Sequence, residues 1–304
     1  MVAYTQFKQR EVQHAIVFGE HKTGKSTLVS QLAEDGFNLI WFSVDNGHSI
    51  IGKLSEAAQA RVDVINIPDT RDFPAAIDTI LKAFTGAKVS ICHMHGQVNC
   101  SFCKQEKLNF TDYEFGKLDL NTVVVIDHLS QIADSAWNLV TQNYDILKEI
   151  KDQKKDSYDL YMKLGMLMNK VLTHIQQARW HTCAIAQVIE TELDSGDKRL
   201  VPRVGSGPFS RCVGSYFDHM ILCEIVNLKH RFGSSTGYKN TVVTGSRSDI
   251  AIEKMPSPSL APFFRNVTVS QQQNKEALKT ELAELKTKTT TPSASEILAK
   301  LRSK

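Results

Sequence analysis

Gly19-Glu20-His21-Lys22-Thr23-Gly24-Lys25-Ser26-Thr27 is the stretch whose reading decides the fold. It follows the apolar run Ala15-Ile16-Val17-Phe18 and precedes Leu28-Val29-Ser30-Gln31-Leu32-Ala33, so a buried strand passes through a glycine-bounded turn into a helix. In that setting G-x-x-x-x-G-K-S is a P-loop. Gly19 and Gly24 let the backbone curl until successive N–H groups point at phosphate oxygens, and the helix N-terminus behind them favours negative charge. Lys25 reaches the β- and γ-phosphates and the Ser26 hydroxyl is placed to ligate Mg²⁺, so all nine residues form a cradle for a nucleoside triphosphate. An ordinary glycine turn would explain neither Lys25 nor Ser26.

A second anchor lies downstream. Asn121-Thr122-Val123-Val124-Val125-Ile126-Asp127 carries successive β-branched residues, as a strand buried on both faces does. Its closing Asp127 resembles a Walker B carboxylate, positioned to hold Mg²⁺ near Ser26. Between the anchors, strands over 37–44, 62–67 and 88–92 alternate with helical stretches near Leu54 and Ala60 and over 73–84. This alternation predicts an α/β fold: a mainly parallel twisted sheet with helices on both faces. The first of these strands delivers Asp45-Asn46-Gly47 to its carboxyl end, where open parallel sheets bind ligands. These three are also favoured turn residues, so a simple turn cap is the alternative. Two helices are expected over 129–150 and 160–178, separated by the charged residues 151–156, with Met162, Met166 and Met168 packing into the core. A short strand over 182–187 ends in Gln187, and 188–215 reads as a long irregular connection. Strand character returns over 217–226 and 241–244, around a polar hairpin-like stretch at 227–240.

The 304 residues suit one large domain with appendages: an arm over 1–13, a core over 14–265 with an insert at 92–119, and a flexible tail over 266–304. The tail holds Leu278, Leu282 and Leu285 at helical spacing, a linker over 287–295, and a terminal peptide with Ile297, Leu298 and Leu301 that either docks on a partner or frays. No apolar run is long enough to span a bilayer and no secretion signal opens the chain, so the cytoplasm is the expected compartment. A net charge of +3 does not by itself demand an anionic partner. Six cysteines in that compartment are not expected to be disulfides. Three of them crowd the insert, where Cys92, His95, Cys100 and Cys103 form C-x-x-H and C-x-x-C pairs. Two such pairs close a tetrahedral site for structural Zn²⁺, with His93 as the spare ligand.

Taken together, the P-loop, Phe42-Ser43-Val44-Asp45, the Asp127 strand with His128-Leu129-Ser130, and Cys183-Ala184-Ile185-Ala186-Gln187 with Phe217-Asp218-His219-Met220 beyond resemble the RecA and AAA+ division of P-loop ATPases. No guanine-reading Asn-Lys-x-Asp is present. Within that division the likeness is to RecA-type recombinase cores, especially short phage-encoded ATPases associated with single-strand annealing proteins. The resemblance implies ATP and Mg²⁺ as ligands, a ring or filament of identical subunits in the phage host's cytoplasm, and hydrolysis stimulated by single-stranded DNA. It also implies that Asp45 polarises the attacking water, although recombinases usually have Glu there, and that Gln187 senses the γ-phosphate and signals to the following loop. In that loop Lys198, Arg199, Arg203 and Arg211 can contact DNA phosphates, with Gly205, Ser206 and Gly207 giving the backbone freedom to follow a strand. Its acidic first half, with Glu190, Glu192, Asp194 and Asp197, leaves a merely solvated loop open. A basic residue supplied in trans is expected from among Lys229, His230, Arg231 and Arg247. Two other readings stand beside this one: a nucleoside kinase similar to type II thymidine kinases, and an AAA+ helicase loader or nucleotide-dependent interaction switch.

Overall fold

The computed structural model describes residues 12–265, apart from 46, 86–87, 142–149, 193–195, 240 and 249. The chain divides into two units, Met1–Phe264 and Arg265–Lys304. The expected tail and nearly all of the arm lie outside the described residues.

The strands are β1 (His14–Gly19), β2 (Asn38–Ser43), β3 (Val62–Asn66), β4 (Val89–Cys92), β5 (Phe110–Tyr113), β6 (Thr122–Asp127), β7 (His181–Glu192), β8 (Lys198–Pro202), β9 (His219–Val226), β10 (Lys229–Gly233) and β11 (Gly245–Ser246). The helices are α1 (Lys25–Glu34), α2 (Glu56–Gln59), α3 (Ala75–Thr85), α4 (Ser101–Gln105), α5 (Leu129–Thr141), α6 (Ile150–Gln177) and α7 (Gly207–Ser210). The main sheet runs β10-β9-β1-β7-β6-β2-β3, with β11 on β9 and β8 on β7. From β9 to β3 all neighbours are parallel. β7 therefore lies between β1, which carries the P-loop, and β6, which carries Asp127. That inserted strand gives the protein the RecA-like P-loop fold.

Every residue of β1 and β6 is buried, as central strands covered on both faces require. Alternate side chains enter two separate cores. Ile16, Phe18, Val124 and Ile126 face α3, α5 and α6 through Ile77, Ile132 and Leu172. Ala15, Val17, Val123 and Val125 face α1 through Leu28 and Leu32, and beyond it Ile252, Leu260 and Phe263. Among the described residues no helix is long and apolar enough to cross a membrane.

The structure departs from the sequence expectations in five places. β4 pairs antiparallel with β5 in a separate two-stranded sheet instead of joining the main one. Residues 151–156 lie inside α6 and do not interrupt it, because Leu160, Leu164, Met168, Val171, Leu172 and Ile175 supply a long apolar stripe that holds the helix to the core. Of the three methionines only Met168 is buried, while Met162 and Met166 are exposed. The connection after Gln187 is an ordered hairpin: β7 continues to Glu192 and β8 returns antiparallel to it. Finally, β9 and β10 meet at the two-residue turn Asn227-Leu228, both with positive φ, the geometry that suits the twist of a tight hairpin, while residues 241–244 form only a bridge at Val242.

Candidate functional site

At the carboxyl end of β1 the chain turns through Glu20, His21 and Lys22 into Gly24, whose left-handed φ of 90° caps α1. Lys25 is folded back over this turn: its Nζ donates to the carbonyls of Gly19 at 3.0 Å and Glu20 at 2.6 Å. Burial lowers the pKa of Lys25, opposed by the nearby carboxylates of Asp127, Glu20 and Asp45. Thr23 Oγ1 donates to the Glu20 carbonyl at 2.9 Å and braces the turn.

Asp127 closes β6 and is 1% exposed. Its Oδ2 accepts from Trp41 Nε1 at 3.2 Å, and its Oδ1 has no partner. Burial, then the charge of Asp45, pushes its pKa up to about 7, against hydrogen bonds from Trp41 and Ser26 and the charge of Lys25. A buried carboxylate oxygen with no donor, beside a serine hydroxyl, is a donor set that fits a hard divalent cation such as Mg²⁺. Asp45 is exposed, and its Oδ1 accepts from Gly47 N at 2.9 Å. A Cβ placed on Gly47 would lie 2.7 Å from Asp45 Oδ1 and 2.8 Å from Asp127 Oδ2, so the two acids flank one point. Lys25, Ser26, Asp45 and Asp127 thus come together.

Gln187 sits opposite Gly19 in the β1–β7 register, at the boundary where β7 leaves the main sheet. The hydroxyl of Ser130 on α5 joins both legs of the hairpin there: it accepts from Gln187 N at 2.9 Å and donates to the Arg203 carbonyl at 2.6 Å. Arg203, one of the residues expected on DNA, donates from Nη1 and Nη2 to Asp134 at 2.9 and 2.7 Å. Lys198 pairs with Glu190 across the hairpin at 2.7 Å, and Arg211 Nη1 donates to the Glu192 carbonyl at 3.2 Å. The exposed Lys198–Glu190 pair is worth little in water, so an anion can exchange for Glu190. Arg199 is exposed and forms no ion pair among the described residues.

The four trans candidates separate. His230 Nδ1 meets the Thr23 carbonyl of its own P-loop at 3.0 Å, and Arg247 pairs with Asp218 at 2.8 Å. Lys229 and Arg231 flank His230 on exposed positions of β10.

In the insert, one ligand atom from each of Cys92, His95, Cys100 and Cys103 lies within 4.8 Å of the others. His95 Nδ1 is 3.3 Å from Cys103 Sγ and 3.7 Å from Cys100 Sγ. His93 turns away to Thr111 Oγ1 at 2.7 Å, so His95 belongs to the set. Three sulfurs and one imidazole fit Zn²⁺. The cysteines are buried and the insert is docked, with Tyr113 donating to Asp63 on β3 at 2.6 Å. Gly96, in the left-handed region at φ 58°, lies so close to the end of β3 that an added Cβ would be 2.3 Å from the Asn66 carbonyl oxygen.

Sequence reasoning missed Trp41, Asp134, the bridging role of Ser130 and the place of His230 against its own P-loop. Only Ser130 and Asp134 had a signal, their spacing on the helix that follows Asp127.

No protein of curated function matches the chain by sequence. Among solved structures it is similar to an ATPase of the type III secretion system of pathogenic bacteria, with 14% identity, a TM-score of 0.38, and coverage of 71% of this chain and 52% of that one. The chain thus spans about half the length of that ATPase. It is also similar to the RadB recombinase, with 12% identity, a TM-score of 0.35 and coverage of 73% and 79%. A third likeness is to the ATPase domain of another protein, with 8% identity, a TM-score of 0.39 and coverage of 80% of both chains. The AAA domain family matches over residues 12–247, which takes in the P-loop, Asp127 and Gln187 alike. A P-loop ATPase by that match, the chain belongs to the AAA domain family.

Proposed function

We propose that the protein binds and hydrolyses ATP as an oligomeric, DNA-stimulated ATPase acting in phage DNA recombination, annealing or replication. The observation that carries this reading is the gathering of Lys25, Ser26, Asp45 and Asp127 at the carboxyl ends of β1, β2 and β6, with Gln187 at the root of a hairpin beside them. In it, residues 19–27 cradle the triphosphate, Ser26 and Asp127 hold Mg²⁺, Asp45 polarises water and Gln187 senses the γ-phosphate. Lys198, Arg199 and Arg211 meet single-stranded DNA, while Arg203 fixes the hairpin root. Lys229 and Arg231 reach the ATP of an adjacent subunit. Cys92, His95, Cys100 and Cys103 hold a structural Zn²⁺ that fastens the insert to β3.

The test is ATP turnover with and without single-stranded DNA, paired with particle size with and without ATP. Turnover that rises with DNA, and assembly that requires ATP, are expected. If neither DNA nor RNA is bound or changes the rate, the recombination role fails. Phosphate transfer to thymidine would favour the kinase instead.

A further inference from the structure

Two buried polar atoms on consecutive residues lack partners at the end of β6: Asp127 Oδ1 and His128 Nδ1. The first is accounted for by the Mg²⁺ site. The second is not. His128 is 6% exposed, and its carbonyl accepts from Gln131 N at 2.9 Å and Ile132 N at 3.1 Å, which puts the residue directly before the first turn of α5. Lys25 and His21 of the P-loop and Arg203 of the hairpin root lie near enough to act on it. Arg203 Nε is itself buried without a partner. A buried polar atom left unpaired costs about 1–3 kcal/mol, a cost that a ligand atom would remove.

We propose that His128 is a further catalytic residue, its Nδ1 hydrogen-bonding the water that attacks the γ-phosphorus; this rests on the reading that the cradle holds ATP. In that role the imidazole orients the water and does not remove its proton. In the step, the water oxygen bonds to the γ-phosphorus. The bond from that phosphorus to the bridging oxygen breaks, with its electron pair passing to ADP. One water proton moves to an oxygen of the transferred group, giving ADP and dihydrogen phosphate. Asp45 approaches the same water from the solvent side, while His128 fixes it from the protein side.

The test compares His128→Ala, His128→Asn and His128→Gln. The Asn amide nitrogen can occupy the place of Nδ1, whereas that of Gln falls nearer Nε2. Three quantities are measured: turnover, the Kd of a non-hydrolysable ATP analogue, and trapping of ADP with aluminium fluoride. His128→Ala is expected to lower turnover about 100-fold, as loss of one positioned hydrogen-bonding group does, to leave the analogue Kd within about threefold, and to abolish trapping. His128→Asn is expected to restore trapping and to bring turnover within about tenfold of the parent, and His128→Gln to do neither. Should His128→Ala fail to fold, the contrast between Asn and Gln decides. Turnover in His128→Ala within about threefold of the parent, or Gln performing as well as Asn, overturns the proposal. If the unaltered protein binds no ATP analogue, the nucleotide reading falls, and this one with it.

Discussion

The nucleotide cradle and the Cys/His insert are both shaped for a ligand, yet they are held open by different means. The cradle is backbone strung between one fully buried strand, β1, and a ten-residue helix, with the fully buried β6 two strands away, so the sheet fixes its shape. The insert has a four-residue strand on either side of a five-residue helix, and its shape depends on four side chains meeting. A site made of backbone on a large core should survive loss of its ligand. One made of side chains in short elements should not.

The largest effect expected is on the cradle's chemistry. Lys25→Ala should weaken ATP binding about 100-fold, because a charge-assisted hydrogen bond to phosphate is lost, while the zinc content and melting temperature stay near the parent's. Titration with a fluorescent ATP analogue beside metal analysis checks this, and loss of zinc in Lys25→Ala would erase the contrast. Cys103→Ser should do the reverse. Zinc should fall from about one per chain to near none and Tm by about 8 °C, with ATP affinity within about threefold. Chelation of the parent protein should reproduce the fall.

His219 probes the sheet that supports the cradle. Burial, partly offset by Asp218 and reinforced by Arg247, pushes its pKa down to about 4 from 6.5. The native state therefore keeps this imidazole neutral where the unfolded chain takes up a proton. Its contribution is complete above about pH 6.5 and is lost as pH falls to about 4, worth about 3 kcal/mol over that window. Denaturant midpoints measured between neutral and acid pH should show His219→Gln with a shallower acid limb than the parent. The smallest effect sharpens the docking of the insert. Gly96→Ala should cost about 2 kcal/mol through a clash with the Asn66 carbonyl and a strained φ, read as a lower denaturant midpoint with zinc still bound.

What was legible in the sequence follows the same division. Residues 19–27 and 121–127 could be read because each packs strand, turn and functional residue into a few consecutive positions. The four zinc-type ligands could be read because chelation sets their spacing. Partnership could not be read: the apolar alternation of residues 88–92 marks a strand without saying which strand it joins. The hairpin beyond Gln187 was hidden because charged and apolar residues mix on both legs, and its order comes from Ser130 and Asp134 on another element. His230 meets Thr23 from 207 positions away, and no local pattern records such a contact.

Along one continuous strand, the residues of β7 up to Gln187 align with β1 and those from Val188 onward with β8. Since side chains alternate along a strand, the parity of the core is carried outward into the hairpin. One extra residue between Ala186 and Val188 would turn the outward face of the hairpin inward. Related chains can therefore vary this arm in length only by even steps along its legs, or freely beyond Glu192.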